Sequence, residues 1–401
     1  MGNKMERNAQ YIPALSGGII SRFLEDTPKF RIYSEKSNPY YALKEFDENP
    51  MVLISAGTNF RKDTFRHELG MGDETNVFID SGGYQLKMNT VDKTKYTDAI
   101  ALSWSEKNGD VFPILDRPTG SHFYDDKEAL ALSLVSAKYY SDNRKHNGEQ
   151  ILNVLQGESK GAMEEWYSNI SEYKFDGWAL GGISNKNADA ELGMEAKFAS
   201  GLLVFFQNKE FEKEECKRLH LFGVGSIKYM IYFQYIQMLI NEMDIDLQIT
   251  CDTSSYSYVA KNGVYWLGRN ENDSMVGKTI TVAKEYKPNK SFRFPCPYDC
   301  PVCSSVEDVD KYFMEFDADG NRRTKKLTYL STLHNLYLQK RVEQETRNIL
   351  SSRCFSTYKT FFSEHTCINL ERLSNIFGKT RDRGEEARKL LIAVFGEEKV
   401  V

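Results

Sequence analysis

Short apolar runs alternate with longer amphipathic segments over the first 270 residues. Each run ends in a polar or glycine-rich turn, and the following segment has apolar residues spaced three to four apart, as in 227–243. Because the runs are continuous rather than alternating, they predict strands covered on both faces, as in a parallel sheet. The eight predicted strands lie at 30–33, 51–55, 77–79, 111–115, 151–155, 178–180, 219–224 and 247–250.

Eight strand–helix alternations predict an α/β fold, and specifically a (β/α)8 TIM barrel. The alternative is an open doubly wound sheet. Its first strand should be followed by a Gly-x-Gly-x-x-Gly phosphate-binding turn, and no such motif lies there.

Chemically active side chains stand where the predicted strands end. Three strands end at an aspartate, namely Asp80, Asp116 and Asp252. An aspartate in this position can simply cap a helix or form a turn. In a barrel, however, all these strand ends meet at the face where active sites lie, so three aspartates together favour a shared pocket. Other strands end at Gln156-Gly157, Gly181-Gly182 and Gly223-Val224-Gly225.

The composition excludes several classes of protein. Hydrophobic residues make up 41% and charged residues 27%, which indicates a packed core rather than a disordered chain. The 52 basic and 57 acidic residues give a net charge of −5, so any nucleic acid must meet a local positive patch. No apolar run approaches the ~18 residues of a membrane span. The first 13 residues have no apolar export signal, so we expect a cytoplasmic protein without a membrane partner.

Three of the seven cysteines are clustered, at Cys296, Cys300 and Cys303, and His334 follows on a predicted helix. Three thiolates and one imidazole suit tetrahedral Zn²⁺, and a closed set of this kind is structural, so we predict one zinc ion per chain. A disulfide or redox pair, or plain buried thiols, are the alternatives. The chain then divides into a catalytic barrel at 1–270, a zinc-binding subdomain with closing helices at 271–363 and a helical tail at 364–401.

Taken in order, these motifs resemble the tRNA-guanine transglycosylase family, whose members are zinc-containing (β/α)8 barrels that exchange guanine for a 7-deazaguanine. Each motif alone is only moderately specific, and it is the ordered set, from about residue 13 to 363, that carries the resemblance. The matching segments are 80–85 (Asp-Ser-Gly-Gly-Tyr-Gln), 155–157 (Leu-Gln-Gly), 175–182 (Phe-Asp-Gly-Trp-Ala-Leu-Gly-Gly), 223–225 (Gly-Val-Gly), Asp252 with Asn-Gly at 262–263, and the cysteine cluster with 333–337 (Leu-His-Asn-Leu-Tyr).

The resemblance implies a role for each matching residue. Asp252 would be the nucleophile and Asp80 the general acid/base, which is the chemistry that base exchange through a covalent glycosyl intermediate requires. Tyr84 would stack on the heterocycle. The remaining residues of the implied base pocket are Ser81, Asp116, Gln156, Gly181, Gly182 and Gly223.

The sequence departs from the family at the parts that grip the nucleic acid. Members acting on tRNA carry an arginine-bearing segment after the nucleophile, whereas residues 253–258 read Thr-Ser-Ser-Tyr-Ser-Tyr. Arg117-Pro118 and 183–187 also differ from the usual pattern, and Tyr298 occupies the usual place of the first zinc cysteine, two residues after Cys296. This combination is more similar to the DNA-guanine transglycosylases of phages and bacterial genomic islands, which insert 7-deazaguanines such as preQ0 into DNA.

The partners expected from this resemblance are DNA and a free guanine or 7-deazaguanine base, in the cytoplasm of a bacterial cell or a phage-infected host. The alternatives are a tRNA-guanine transglycosylase, a non-catalytic transglycosylase-like subunit and another barrel with paired carboxylates, such as a glycosidase. The resemblance also implies a homodimer formed through the zinc region. Two basic runs could bind phosphates, or they could equally be solvated loops. The residues predicted to contact phosphate are Lys290, Arg293, Arg322, Arg323, Lys325 and Lys326.

Overall fold

The computed structural model describes residues 7–15, 43, 50–62, 66, 71, 75–119, 125–182, 194–279, 300 and 325–379. Its centre is one sheet of eight parallel strands in the order β1-β8-β7-β6-β5-β4-β3-β2. A bridge between Ala14 and Leu53 joins the two ends of this sheet, so that it closes into the predicted (β/α)8 barrel. The strands are β1 (Gln10–Pro13), β2 (Met51–Ser55), β3 (Asn76–Asp80), β4 (Val111–Pro113), β5 (Gln150–Leu155), β6 (Gly177–Leu180), β7 (Arg218–Leu221) and β8 (Gln248–Thr253).

Helices lie between the strands and continue after the barrel. A short antiparallel hairpin of β9 (Val264–Arg269) and β10 (Met275–Thr279) follows the last barrel strand. The described helices are α1 (Ala56–Asn59), α2 (Gly83–Lys87), α3 (Asp98–Asn108), α4 (Asp126–Asn143), α5 (Lys160–Ile170), α6 (Met194–Gln207), α7 (Ile227–Glu242), α8 (Ser255–Lys261), α9 (Lys325–Ser351), α10 (Phe355–Phe361) and α11 (Glu364–Lys379).

The first barrel strand is β1, which the apolar pattern did not predict. It has only four residues. Polar Gln10 and Pro13 flank its two apolar residues, so the strand does not form a recognisable apolar run. The strand predicted at 30–33 lies outside the described residues. The other seven predicted strands correspond to β2 through β8, with ends that differ by up to three residues.

The outer helices pack on the barrel through apolar residues that recur at the helical spacing predicted from the sequence. In α5 the buried residues are Met163, Trp166, Tyr167 and Ile170, which form one face of a helix. Ser159 caps its first turn by accepting a hydrogen bond from the N–H of Ala162 at 3.2 Å. The Trp166 indole N–H then donates to the carbonyl of Val154 in β5 at 2.8 Å, which fixes the helix against its strand.

The barrel has a seam between β1 and β2. Here the two strands are joined by one isolated bridge, between Ala14 and Leu53. Directly after β1, the N–H of Ala14 donates to the carbonyl of Thr253 in β8, so the backbone N–H groups of the odd-numbered residues face β2. Only the N–H of Leu15 reaches β2, at the carbonyl of Leu53. A proline suits position 13 because it has no N–H, so no backbone donor is left unpaired on this edge.

Helix α9 supplies the missing partners of the seam with charged side chains. The N–H of Tyr11 donates to Oε1 of Glu343 at 3.0 Å, and Nζ of Lys340 donates to the carbonyl of Tyr11 at 2.7 Å. Glu343 pairs with Lys340 at 3.1 Å and with Arg347 at 2.6 Å. The side chains of Glu343 and Lys340 are at most 2% exposed, so the charges are desolvated and depend on one another.

The chain after the barrel folds back onto it. The predicted helix at 328–350 is α9, and the start of the 364–401 tail is α11, where Asn369 donates to the hydroxyl of Tyr232 in α7 at 2.9 Å. The predicted boundary at residue 270 falls between the two strands of the β9–β10 hairpin. In the described part of the chain, no helix is both long enough and apolar enough to cross a membrane.

The buried charges of the seam yield a stability prediction. Glu343→Gln keeps an acceptor for Tyr11 but leaves Lys340 without a counter-charge, so we expect it to lower the free energy of unfolding by about 3–5 kcal/mol. Urea unfolding followed by circular dichroism measures this loss.

The matched control for this prediction lies two residues along the same helix. Glu345 pairs with Arg341 at 3.2 Å, but its side chain is 47% exposed, so Glu345→Gln should change the free energy of unfolding by no more than about 0.5 kcal/mol. Equal effects of the two substitutions would contradict the structural role of Glu343.

Candidate active site

The three strand-end aspartates meet at the carboxyl end of the barrel. Asp80 is the last residue of β3, Asp116 lies three residues beyond β4, and Asp252 is the fifth residue of β8. Asp116 and Asp252 are each 8% exposed. The charges of both raise the pKa of Asp80, so the three carboxyl groups lie within electrostatic reach of one another.

Asp80 has a strongly perturbed carboxyl group. Burial, together with repulsion from the Asp116 carboxylate, raises the pKa of Asp80 to about 7. The N–H of Gly82, which donates to Oδ1 of Asp80 at 3.4 Å, opposes this shift. A carboxyl group with a pKa near 7 holds and releases a proton at neutral pH, which is what a general acid/base needs.

The glycine turn after Asp80 is dictated by close packing. Gly82 has φ +85°, and a Cβ there would lie 2.7 Å from the backbone of Gly57. A Cβ on Gly83 would lie 2.4 Å from the carbonyl oxygen of Asp116. Gly82 therefore lets the turn after β3 pack against α1, and Gly83 lets it approach the backbone of Asp116.

Ser81, Asp116 and Gln156, three of the residues predicted to line a base pocket, form one hydrogen-bonded set. The Ser81 hydroxyl donates to Oδ1 of Asp116 at 2.9 Å, and the amide Nε2 of Gln156 donates to Oδ2 of the same carboxylate. Burial raises the pKa of Asp116, while the hydrogen bond from Ser81 and the charge of Arg117 oppose that shift. The set presents a carboxylate beside a carboxamide, which is a mixed acceptor and donor surface.

The glycines predicted for the pocket fall in two places. Gly181 and Gly182 lie against Gln156, because a Cβ on Gly181 would come within 3.2 Å of its side chain and one on Gly182 within 3.5 Å. Gly223, with φ +71°, instead donates its N–H to Oδ1 of Asp252 at 2.8 Å. The structure therefore puts Gly223 beside the predicted nucleophile.

Tyr84 projects from α2 next to this pocket. Its side chain is 53% exposed, which is unusual for a large aromatic residue on a barrel. An exposed ring at this position is open to stacking on a bound heterocycle.

Several polar residues at the site were missed from the sequence. His220 in β7 lies 3.3 Å from Oδ1 of Asp252, measured from Nε2. The N–H of Thr119 donates to Oε1 of Gln156 at 3.1 Å, and its hydroxyl donates to Glu158 at 3.2 Å. Glu158 pairs at 2.7 Å with Lys197, which is 1% exposed. The available signal was a histidine inside an otherwise apolar strand, between Leu219 and Leu221.

The predicted metal site is only partly described. Cys300 and His334 are each 1% exposed, and Nε2 of His334 donates to the carbonyl of Trp266 at 2.8 Å. Cys296 and Cys303 lie outside the described residues, and among those described no group of three or more His, Cys, Asp or Glu side chains could hold a metal. A backbone carbonyl as the partner of one ring nitrogen is a common feature of histidines that bind zinc through the other nitrogen.

The predicted phosphate contacts are not described either. Lys290, Arg293, Arg322 and Arg323 lie outside the described residues, and the side chains of Lys325 and Lys326 at the start of α9 do as well.

No protein-family model matches the chain, and no curated protein sequence matches it.

The buried Asp80 carboxyl yields a prediction that needs no substrate. An aspartate in the unfolded chain loses its proton near pH 4, whereas folded Asp80 holds its proton up to about pH 7. The native state therefore loses stability relative to the unfolded state as the pH rises through this interval. Asp80→Asn does not titrate, so its free energy of unfolding relative to wild type should rise by about 2 kcal/mol or more between pH 5 and pH 8.

Chemical denaturation at several pH values measures this difference. Asp142→Asn, at a carboxyl that is 56% exposed on α4, is the control and should show no comparable rise. If the two difference curves were parallel across this interval, burial of Asp80 would not be raising its pKa.

Proposed function

We propose that this protein is a DNA-guanine transglycosylase, a pentosyltransferase that exchanges guanine in DNA for a preQ0-like 7-deazaguanine. The observation that carries the proposal is the pairing of two different aspartates at one barrel mouth. Asp252 has one oxygen fixed by a backbone N–H at 2.8 Å, and Asp80 has a pKa of about 7. A fixed carboxylate and a titrating carboxyl are the nucleophile and the acid/base that glycosidic base exchange requires.

In the first half of the proposed reaction, a carboxylate oxygen of Asp252 bonds to C1′ of the target nucleotide. The C1′–N9 bond breaks, its electron pair leaves with guanine, and the departing base takes the proton of Asp80. The product is a glycosyl ester on Asp252 and an ionised Asp80. The target must first leave the base stack, which costs a few kcal/mol.

The second half reverses these roles with a different base. The incoming 7-deazaguanine gives its N9 proton to the Asp80 carboxylate, and N9 bonds to C1′ as the ester oxygen of Asp252 leaves. Both aspartates return to their starting states, so the exchange balances without an oxidant, a reductant or a nucleotide cofactor.

The hydrogen-bonded set at Asp116 is suited to reading the base. Its carboxylate accepts from Ser81 and Gln156, and an ionised carboxylate has further lone pairs for the N–H donors of a guanine edge. A site built on such bonds rejects a base that lacks these donors, because its buried polar groups would be left unpaired. The exposed ring of Tyr84 would cover the face of the heterocycle.

The choice of DNA rests on the segment after the nucleophile. Residues 255–261 form α8, whose only cationic residue is Lys261 and whose Tyr258 is 65% exposed. Transglycosylases that act on tRNA carry an arginine-bearing segment there. A tRNA-guanine transglycosylase is the second candidate, because the acid/base and nucleophile arrangement is compatible with either nucleic acid.

One zinc ion is proposed for Cys296, Cys300, Cys303 and His334, where it would supply folding energy and no step of the reaction. The buried positions of Cys300 and His334 support this assignment, and so does the carbonyl partner of the His334 ring.

The proposed reaction is tested by trapping its intermediate. Incubation with guanine-containing duplex DNA, single-stranded DNA and tRNA should give a denaturation-resistant adduct with DNA. Asp252→Ala should form none, since a methyl group cannot make the ester. Asp80→Asn should slow exchange of labelled preQ0 by roughly 10²–10⁴-fold while nucleic-acid binding is retained.

Asp142→Asn is the control for these assays, because Asp142 lies on the outer surface of α4. All substrates must be compared at one salt concentration, since phosphate contacts make affinity steeply salt-dependent. Labelling of tRNA with none of DNA would replace the proposal with its second candidate. An adduct that survives in Asp252→Ala would refute the nucleophile.

Elemental analysis tests the zinc site. Wild type should contain one zinc ion per chain, and Cys300→Ser should lose zinc and unfold at lower denaturant concentration, because zinc binding and folding are coupled. Cys367→Ser, at a cysteine of similar burial in α11, should retain zinc. Undiminished zinc in Cys300→Ser would refute the site.

A further inference from the structure

His220 is a buried polar residue at the centre of the barrel. It is 0% exposed, its ring stacks on Phe78 at a centroid distance of 4.0 Å, and Phe222 meets it edge-on at 4.5 Å. Burial lowers the pKa of His220, while its contact with Asp252 acts in the opposite direction. A fully enclosed imidazole needs hydrogen-bond partners to offset its desolvation.

Its two ring nitrogens lie against two residues of β8. Nδ1 is 2.9 Å from Oγ1 of Thr250, and Nε2 is 3.3 Å from Oδ1 of Asp252. The register of β7 with β8 pairs His220 with Thr250, and Asp252 follows two positions later on the same face of β8. The contact is therefore built into strand pairing rather than into a loop.

The partners determine the tautomer. A carboxylate that acts as a nucleophile is ionised and can only accept, so the nitrogen facing Asp252 must carry the proton. In a neutral ring Nδ1 then has the lone pair and accepts from the hydroxyl of Thr250. This tautomer gives Nε2 a proton that faces the negative charge of Asp252, at an Nε2–Oδ1 distance of 3.3 Å.

A hydrogen bond and an electrostatic contact therefore converge on one oxygen of the nucleophile. Oδ1 of Asp252 accepts the N–H of Gly223 at 2.8 Å and faces Nε2–H of His220 at 3.3 Å. We infer that His220 is a positioning residue that holds Oδ1 together with Gly223 and leaves Oδ2 as the oxygen that attacks C1′. This inference rests on the proposed transglycosylase function and specifies how its nucleophile is oriented.

The same arrangement also stabilises Asp252 when it is released from the glycosyl ester. In the glycosyl ester Oδ2 is bonded to C1′ and Oδ1 is the carbonyl oxygen. When the incoming base displaces the ester, the Oδ2–C1′ electron pair stays with Asp252 and the carboxylate charge spreads onto Oδ1. Donors already aimed at that oxygen stabilise the charge without reorganising.

The tautomer can be tested without any substrate. The chain has six histidines, so selective ¹⁵N-histidine labelling gives a small set of ring signals, and the one lost in His220→Gln belongs to His220. We expect a neutral ring protonated at Nε2. Asp252→Ala should shift its Nε2 signal, and Thr250→Val should shift its Nδ1 signal. A ring protonated at Nδ1 would overturn the inference.

Two amide substitutions separate positioning from packing. The amide nitrogen of a glutamine at position 220 can reach the place of Nε2, whereas that of asparagine reaches only the place of Nδ1. His220→Asn should therefore lower kcat for base exchange by about 10²-fold, with little change in KM for DNA or base. His220→Gln should stay within about tenfold of wild type, and Thr250→Val, which keeps the side-chain shape, should fall between them.

The outcomes distinguish this inference from the proposed function. Equal rates for His220→Asn and His220→Gln, in a protein whose wild type forms the adduct, would overturn the role of His220 alone. No adduct from wild type with DNA or tRNA would overturn the proposed function and, with it, the assignment of an attacking oxygen.

Discussion

The arrangement of the site depends on how the barrel closes between β1 and β2. Asp252 lies in β8, where it is paired with Ile12 of β1, and Asp80 ends β3, where it is paired with Ser55 of β2. The seam therefore separates the strands that carry the two aspartates. Its closure by one bridge and by the charged side chains of α9 sets how those strands face each other. A helix beyond the barrel thus contributes to the geometry of the site without reaching it.

The parts of the structure that the sequence predicts are those with a local cause. Seven strands could be read because a strand covered on both faces must be continuously apolar. Short β1 could not, since Gln10 and Pro13 leave it only two apolar positions, and its edge partners on α9 lie more than 300 residues away. The grouping of the strand-end aspartates could be predicted, because the carboxyl ends of parallel barrel strands lie on one face. His220 could not be assigned to Asp252, because that contact depends on the register between β7 and β8.

The pocket shows how one environment can give similar side chains different properties. Asp116 is buried and Asp80 is partly buried, and desolvation raises the pKa of both. Asp116 accepts from Ser81 and Gln156 and so remains a hydrogen-bond acceptor. Asp80 stands beside the Asp116 charge, and burial together with that repulsion raises the pKa of Asp80 to about 7. The tight glycine turn contributes, because Gly83 lets the turn after β3 approach the backbone of Asp116.

The seam also affects when the barrel can close as the chain is synthesised. Tyr11 is synthesised 332 positions before its hydrogen-bond partner Glu343. Throughout that interval the outer edge of β1 has no α9 to cover it, and an uncovered strand edge can pair with other chains. The ring can be completed only after α9 has been made. Until then, the strand edge at the seam remains open to pairing with other chains.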